Sequence, residues 1–121
     1  MKMQLADILD RLSIAMLKKH AGGLDVDREL EELEAAAAEY EAEVGEAKIG
    51  TWKSMLVLFN SLIWSLESDI RLGKEGILGH AEVGRRALVI RDHNAKRVKV
   101  KQAIATEVDE IVERKVNHAS A

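Results

Sequence analysis

The chain has 121 residues, of which 47% are apolar, and a formal net charge of −3 at pH 7. This length suits one domain with a modest core, so we expect a single helical domain over residues 1–121. There is no cysteine, which excludes disulfides and thiolate metal sites and fits the reducing cytoplasm, where we expect the protein. No run of about 18 apolar residues exists, and the opening is amphipathic. We therefore expect neither secretion nor a membrane span.

Proline is also absent, so glycine is the main residue that can break a helix in this chain. Glycines near positions 22–23, 45–50 and 73–79 divide the chain into four segments. We predict helices at about 4–20, 25–44, 51–72 and 80–116, with Asp25 and Thr51 as N-caps of the second and third. The predicted fold class is all-α, either an antiparallel four-helix bundle or a pair of helical hairpins, with a long C-terminal helix.

Apolar residues recur at steps of three and four in each segment, which predicts one buried stripe per helix. The third segment has a wide stripe from Trp52 to Ile70, so we expect it to be the most buried helix, with Phe59 and Trp64 in the core. The stripe of the fourth segment is interrupted in its middle, where the pattern expects leucine or isoleucine. The interrupting residues are Asn94, Arg97 and Lys101.

These polar residues need partners, because desolvating an unpaired polar side chain costs free energy. A second polar stripe lies on the third helix, and neighbouring helices joined by a short connection run antiparallel. We therefore predict that Glu67 pairs with Arg97 or Lys101, and that Asp10 and Arg11 join from the first helix. Such a network either fixes helix register or forms a pocket for an anionic or hydroxylated ligand. The candidate ligand-binding residues are Asn60, Trp64, Glu67, Arg71, Asn94, Arg97 and Lys101.

Several short motifs of this chain resemble an uncharacterised family of small helical proteins from bacteria, some encoded beside glycosyltransferases, and from their phages. The motifs are Ile-Leu-Asp-Arg-Leu-Ser-Ile at 8–14, Leu-Ile-Trp-Ser-Leu-Glu-Ser-Asp-Ile-Arg at 62–71, Val-Gly-Arg-Arg-Ala at 83–87, Ile-Arg-Asp-His-Asn-Ala-Lys-Arg at 90–97 and Val-Asn-His-Ala-Ser at 116–120. The chain departs from that family at Ser68, which stands where an acidic residue is common, and at His93, beside the family's Asn-Arg pair. The resemblance implies a shared helical fold and polar cluster, and no known reaction.

Charge is distributed unevenly along the chain. Between Asp25 and Glu46 there are ten acidic residues and one basic residue, Arg28. Between Arg85 and Lys101 there are seven basic residues and one acidic residue. The basic segment lacks the stacking aromatics and docking motifs of nucleic-acid binders, so we expect no nucleic-acid partner. We expect it to complement the acidic second helix, either within the chain or in a partner subunit.

Motifs for metal binding and catalysis are missing from the sequence. The four histidines are well separated and form no His-x-x-x-His pair, so we predict no metal site and no cofactor. No nucleophile elbow or catalytic triad order is visible. The sequence therefore favours a protein that is not an enzyme.

Two functions remain for such a chain. The first is a non-enzymatic helical interaction or assembly module that forms a homo-oligomer, a dimer or larger. Its basis is that the fourth helix would exceed its neighbours by roughly 20 Å, leaving Ile104, Val108, Ile111 and Val112 only partly covered. The alternative is a binder of, or a small enzyme acting on, a phosphorylated or sugar-nucleotide ligand through Glu67, Arg71, Arg97 and Lys101. An open pocket between the helices would favour the ligand-binding alternative. A closed network in which every polar group is paired would favour the interaction module.

Overall fold

Helices make up nearly all of the part of the chain that the computed structural model describes, which is residues 2–23, 25–71 and 75–120 without the side chains of 69, 71, 75 and 118–120. The six helices of the described ranges are α1 Leu5–Gly22, α2 Asp27–Ala38, α3 Glu41–Val44, α4 Glu46–Arg71, α5 Glu75–Leu78 and α6 His80–Ser120. The described ranges contain no strand, which confirms the all-α prediction. None of these helices combines the length and the apolar character needed to cross a bilayer.

Only some of the glycines end a helix. Gly23 and Gly45 adopt positive φ angles of 63° and 97°, a conformation that glycine reaches without the steric cost of a Cβ atom. Gly50 lies inside α4, so the third predicted helix begins at Glu46 instead of 51. The predicted N-cap at Thr51 is therefore wrong, and its hydroxyl donates to the carbonyl of Ala47 within the helix, at 3.1 Å.

The second predicted helix, 25–44, is divided in two. Its N-cap is Val26 and not Asp25, although the Asp25 carboxylate accepts a long bond of 3.4 Å from the amide of Asp27. The helical run stops at Ala38 and resumes at Glu41. Tyr40 occupies the break, where it is 8% exposed and its hydroxyl donates to the carbonyl of Met3 at 2.7 Å. The break thus docks the end of α2 against the start of α1.

Three long helices, α1, α4 and α6, pack around one another. Antiparallel α4 and α6 share the most extensive packing, and an ion pair joins Lys48 of α4 to Glu107 of α6. At the other end of the pair, Arg86 of α6 donates to the carbonyl of Leu66 at 3.4 Å. The helix α1 lies against both, while α2 packs chiefly on α1. The bundle therefore has three central helices and a fourth on the outside of α1.

The most buried helix is α1 and not the third predicted helix. Leu5, Ile8, Leu9 and Leu12 are each at most 2% exposed, because α1 contacts α2, α4 and α6. Among the described apolar side chains of α4, Ile49 and Leu56 are buried, whereas Met55, Leu58 and Leu62 are exposed. Phe59 and Trp64 are only partly buried, so their predicted place in the core is wrong.

The apolar stripe in the C-terminal part of α6 is better covered by the rest of the chain than we expected from the length of this helix. Ile104 is 0% exposed and Val108 is 8% exposed within one chain. Because α4 begins at Glu46, it reaches further along α6, and α3 also packs there, with the Lys115 ammonium donating to the carbonyl of Ala42 at 3.2 Å. Among the described side chains of this part of α6, Val112 and Val116 are the exposed large apolar ones, at 38% and 58%.

We expect Leu56→Ala to lower the free energy of unfolding by about 2–5 kcal/mol, because it opens a cavity at a closed site. Leu58→Ala on the same helix is the matched control, and its 56% exposed side chain should change stability by less than about 0.5 kcal/mol. Urea melts followed by circular dichroism measure both values. Equal effects of the two substitutions would contradict the assigned face of α4.

Candidate binding cleft between three helices

The centre of the bundle holds a buried hydrogen-bond network organised by Asn60. This residue is 5% exposed and lies on α4, where it faces α1 and α6. Its amide nitrogen donates to the carboxylate of Asp10 at 3.0 Å and to the hydroxyl of Ser13 at 2.6 Å. Its amide oxygen accepts from Nη1 of Arg97 at 3.2 Å. One side chain therefore links all three central helices.

Two carboxylates of α1 face two cations of α6 beside this amide. Lys101 Nζ lies 3.1 Å from Asp7 Oδ1 and 3.7 Å from Asp10 Oδ2. Arg97 Nη1 lies 3.8 Å from the same Oδ2 atom of Asp10. Since the acids are three residues apart and the bases four, each pair lies on one face of its helix. The Asp10 side chain is 10% exposed, and this pairing compensates its burial.

The predicted pairing of Glu67 with Arg97 or Lys101 is therefore wrong. Both cations contact Asp10 of α1 instead. Glu67 has other interactions, as does Trp64. Arg11 is exposed, whereas Asp10 does join the network as expected. The side chain of Arg71 lies outside the described residues.

A cleft of about 510 Å³ opens beside the network, between α1, α4 and α6. It is open to solvent, because Ala87, Arg91 and Asn94 on its rim are exposed. Its lining mixes apolar with polar and charged side chains. The lining residues are Ile14, Leu17, Asn60, Ile63, Trp64, Glu67, Ala87, Ile90, Arg91, Asn94 and Arg97.

The structure brings five of the seven predicted site residues to this one cleft, namely Asn60, Trp64, Glu67, Asn94 and Arg97. Lys101 lies one turn beyond Arg97 on α6, where it pairs with Asp7 and Asp10 of α1. The prediction missed Asp7 and Ser13 of the network and the apolar walls of the cleft. A usable signal was present for Ser13, because it follows Asp10 at a step of three within the apolar stripe of α1.

An ion cluster secures the start of α6, which forms one wall of the cleft. Glu82 accepts from Nε and Nη2 of Arg85 at 2.8 and 2.7 Å, and from Nε of Arg86 at 2.9 Å. These hydrogen bonds from Arg85 and then Arg86 lower the pKa of Glu82 to about 2. Because Arg86 also donates to the carbonyl of Leu66, the cluster ties this wall to α4.

No family model, curated protein or solved structure matches this chain. The resemblance of the short motifs therefore stays a prediction, and the function has to be argued from the cleft itself. In the described ranges no three histidine, aspartate or glutamate side chains converge as a metal site would require.

A double-mutant cycle between Asp10→Asn and Arg97→Met should give a coupling free energy of about 0.5–3 kcal/mol, because each substitution removes a charge with which the other residue interacts. The matched cycle of Glu67→Gln with Arg97→Met should be additive to within about 0.5 kcal/mol. Urea melts of the six proteins supply both values. A larger coupling for Glu67 than for Asp10 would contradict the arrangement described above.

Proposed function

We propose that this chain is a binding protein for a small organic anion, which it holds in the cleft between α1, α4 and α6 without a chemical step. The supporting observation is an open cleft of about 510 Å³ whose lining includes Arg97 and Trp64. Small-molecule sites commonly have volumes of about 300–1,000 Å³, with mostly apolar walls and a few polar groups that fix orientation. The gaps between helices of a bundle are a usual location for them.

The lining of the cleft contains both apolar and charged side chains, which supports an amphipathic ligand. Ile14, Ile63 and Ile90 offer an apolar wall, with Trp64 beside them. Arg97 and the exposed Arg91 bring positive charge to the lining. The chain lacks cysteine, which fits action in the reducing cytoplasm.

Filling the cleft tests the proposal. Ala87→Trp places a bulky side chain at the rim, and Ala95→Trp makes the same change on an exposed face of α6 outside the lining. We expect the wild type and Ala95→Trp to retain a small molecule from a metabolite extract in native mass spectrometry. Ala87→Trp should lose it while keeping its helical circular dichroism. Retention by Ala87→Trp, or no bound mass in the wild type, would contradict the proposal.

A second candidate function is self-assembly, which the separation of charge favours. All ten acidic side chains between Asp25 and Glu46 are exposed, as are Lys96 and Lys99 of α6. The helix α2 packs chiefly on α1, so its acids do not cover the basic face of the same chain. The acidic face of one copy would therefore complement the basic face of another.

Charge reversal tests this candidate. We expect the wild type to be at least dimeric at micromolar concentration in light scattering, with an apparent mass that falls as salt rises. Lys96→Glu with Lys99→Glu should give a monomer, and so should Glu31→Lys with Glu34→Lys, whereas a mixture of the two variants should associate. A monomeric wild type at low salt would exclude self-assembly and leave the binding function intact.

A further inference from the structure

The outer face of α4 carries an exposed stripe without charge. Between residues 51 and 65, all of which the structure describes, the large apolar side chains of Met55, Leu58 and Leu62 are 40%, 56% and 38% exposed. The other exposed residues of this stretch carry hydroxyl groups. They are Thr51, Ser54 and Ser65. The six follow the helical repeat and form one stripe about 21 Å long, which we call the α4 stripe.

An uncharged stripe is unusual on the surface of this chain, in which 32% of the residues are charged. Exposed apolar side chains that adjoin one another on a surface commonly mark a contact with another molecule. The charges on the two sides of the α4 stripe indicate which molecule covers it.

The acidic helix α2 flanks the stripe on one side. On α1, Ser13 faces α4 and Asp7 faces α6. Leu9 lies four residues from Ser13 on the same side of α1 and is 0% exposed, whereas Arg11, four residues from Asp7 on the other side, is exposed. Because α2 packs chiefly on α1, it closes the side of α1 that is turned towards α4.

The middle of α2 lies level with the middle of the α4 stripe. Contacts with α1 at both ends of α2, from Asp27 and from Tyr40 just beyond the helix, place Glu34 opposite Asp10. Asp10 in turn accepts from Asn60 of α4 at 3.0 Å. The carboxylate of Glu34 is exposed at this height.

The basic helix α6 flanks the stripe on its other side. The rings of His93 and Phe59 join α6 to α4, with centroids 6.5 Å apart. Lys96 is three residues beyond His93, so it lies towards the α4 side of its helix, and it is exposed. Since the adjacent Arg97 donates to Asn60, Lys96 is also level with the middle of the stripe.

We infer that two copies of this chain associate through their α4 stripes about a twofold axis parallel to α4, with Glu34 of each copy opposite Lys96 of the other. This inference rests on the proposed self-assembly and specifies its surface and symmetry. Rotation about such an axis keeps every residue at its height and exchanges the two flanks. The acidic α2 of one copy therefore meets the basic α6 of the other on both sides of the stripe.

The uncharged stripe agrees with this symmetry. About an axis parallel to α4, each residue of the stripe faces the same residue of the other copy, so any charge there would repel its own kind. A twofold axis perpendicular to α4 would instead set acidic flank against acidic flank and basic against basic. The distribution of charge therefore selects the parallel arrangement of the two α4 helices.

Single cysteines test the symmetry, because the chain has no cysteine of its own. Thr51→Cys and Ser65→Cys place a thiol at either end of the stripe. In the parallel arrangement each thiol faces its own copy, so we expect a short bismaleimide to link both variants into dimers at low salt. Arg11→Cys, exposed on the far side of α1, is the control for chance collisions.

Charges placed in the stripe provide the second measurement. We expect Met55→Glu and Met55→Lys each to raise the dissociation constant of the dimer at least about tenfold, and an equal mixture of the two to associate. Val112→Glu makes the same kind of change at a similarly exposed side chain, 38% against 40%, outside the stripe, and should leave association unchanged. Circular dichroism establishes that all three are folded.

Leu58→Ala adds a measurement that depends on concentration. Because Leu58 is 56% exposed in one copy, the substitution should lower the urea midpoint only at protein concentrations at which the wild type is dimeric. A loss of stability that does not depend on protein concentration would count against the α4 stripe as the interface.

The outcomes separate this inference from self-assembly itself. A dimeric wild type in which Thr51→Cys and Ser65→Cys are linked no better than Arg11→Cys would overturn the inference and leave self-assembly standing. Linkage only in a mixture of Thr51→Cys and Ser65→Cys would show antiparallel helices, with equivalent thiols about 21 Å apart, and would overturn it as well. A monomeric wild type at low salt would overturn both.

Discussion

The arrangement of the three central helices depends on the burial of one amide, that of Asn60. A buried primary amide has two donors and an acceptor to satisfy, and it finds them only if α1 and α6 are in the correct register. A slip of one residue in α1 would carry Asp10 and Ser13 away from the amide nitrogen. A similar slip in α6 would remove Arg97 from the amide oxygen. Apolar contacts tolerate such slips more readily, since they are not directional.

The charges around Asn60 follow from the same requirement. Asp10 is nearly buried and cannot remain there as an isolated carboxylate. Arg97 and Lys101 approach one of its oxygens, and Lys101 also pairs with the more exposed Asp7. Two acids on one helix therefore meet two bases on another, and the cluster of four is neutral. Such clusters contribute more to the choice of register than to net stability, because desolvation offsets much of the Coulomb attraction.

Periodicity in the sequence was enough to predict the helices and the polar interruption, but not the partners. Polar positions every three or four residues indicate that a helix face carries polar side chains, and Asn60 and Arg97 do meet. Periodicity does not reveal which of several helices lies opposite that face. Arg97 was therefore paired with Glu67 of α4, although Asp10 of α1 is its carboxylate partner. Coupling between three helices is a tertiary property that no single stripe contains.

The coverage of α6 was misjudged for a more local reason. Gly45 and Gly50 are both plausible helix breaks in the sequence, and only the first has the positive φ angle that ends a helix. Starting α4 at Glu46 instead of 51 lengthens it by five residues, about 7.5 Å. Ile104 and Val108 are buried within one chain, and Val108 borders a small cavity together with Leu5 and Tyr40. The choice between two nearby glycines thus decided how far α4 extends along α6.

The cleft begins where the hydrogen-bond network around Asn60 ends. On the Asn60 side the helices are held together by directional bonds, and beyond it α6 presents the small Ala87 and the exposed Asn94 towards α1 and α4. Small side chains leave space that the larger residues of the other helices do not fill.

Arg97 belongs both to the hydrogen-bond network and to the lining of the cleft. The bond from Nη1 to Asn60 holds the guanidinium in place before any ligand arrives. An arginine that is already held by a hydrogen bond loses less side-chain freedom when a ligand contacts it, which lowers that part of the cost of the proposed binding. The hydrogen bond that aligns the helices therefore also fixes the position of an arginine in the lining of the cleft.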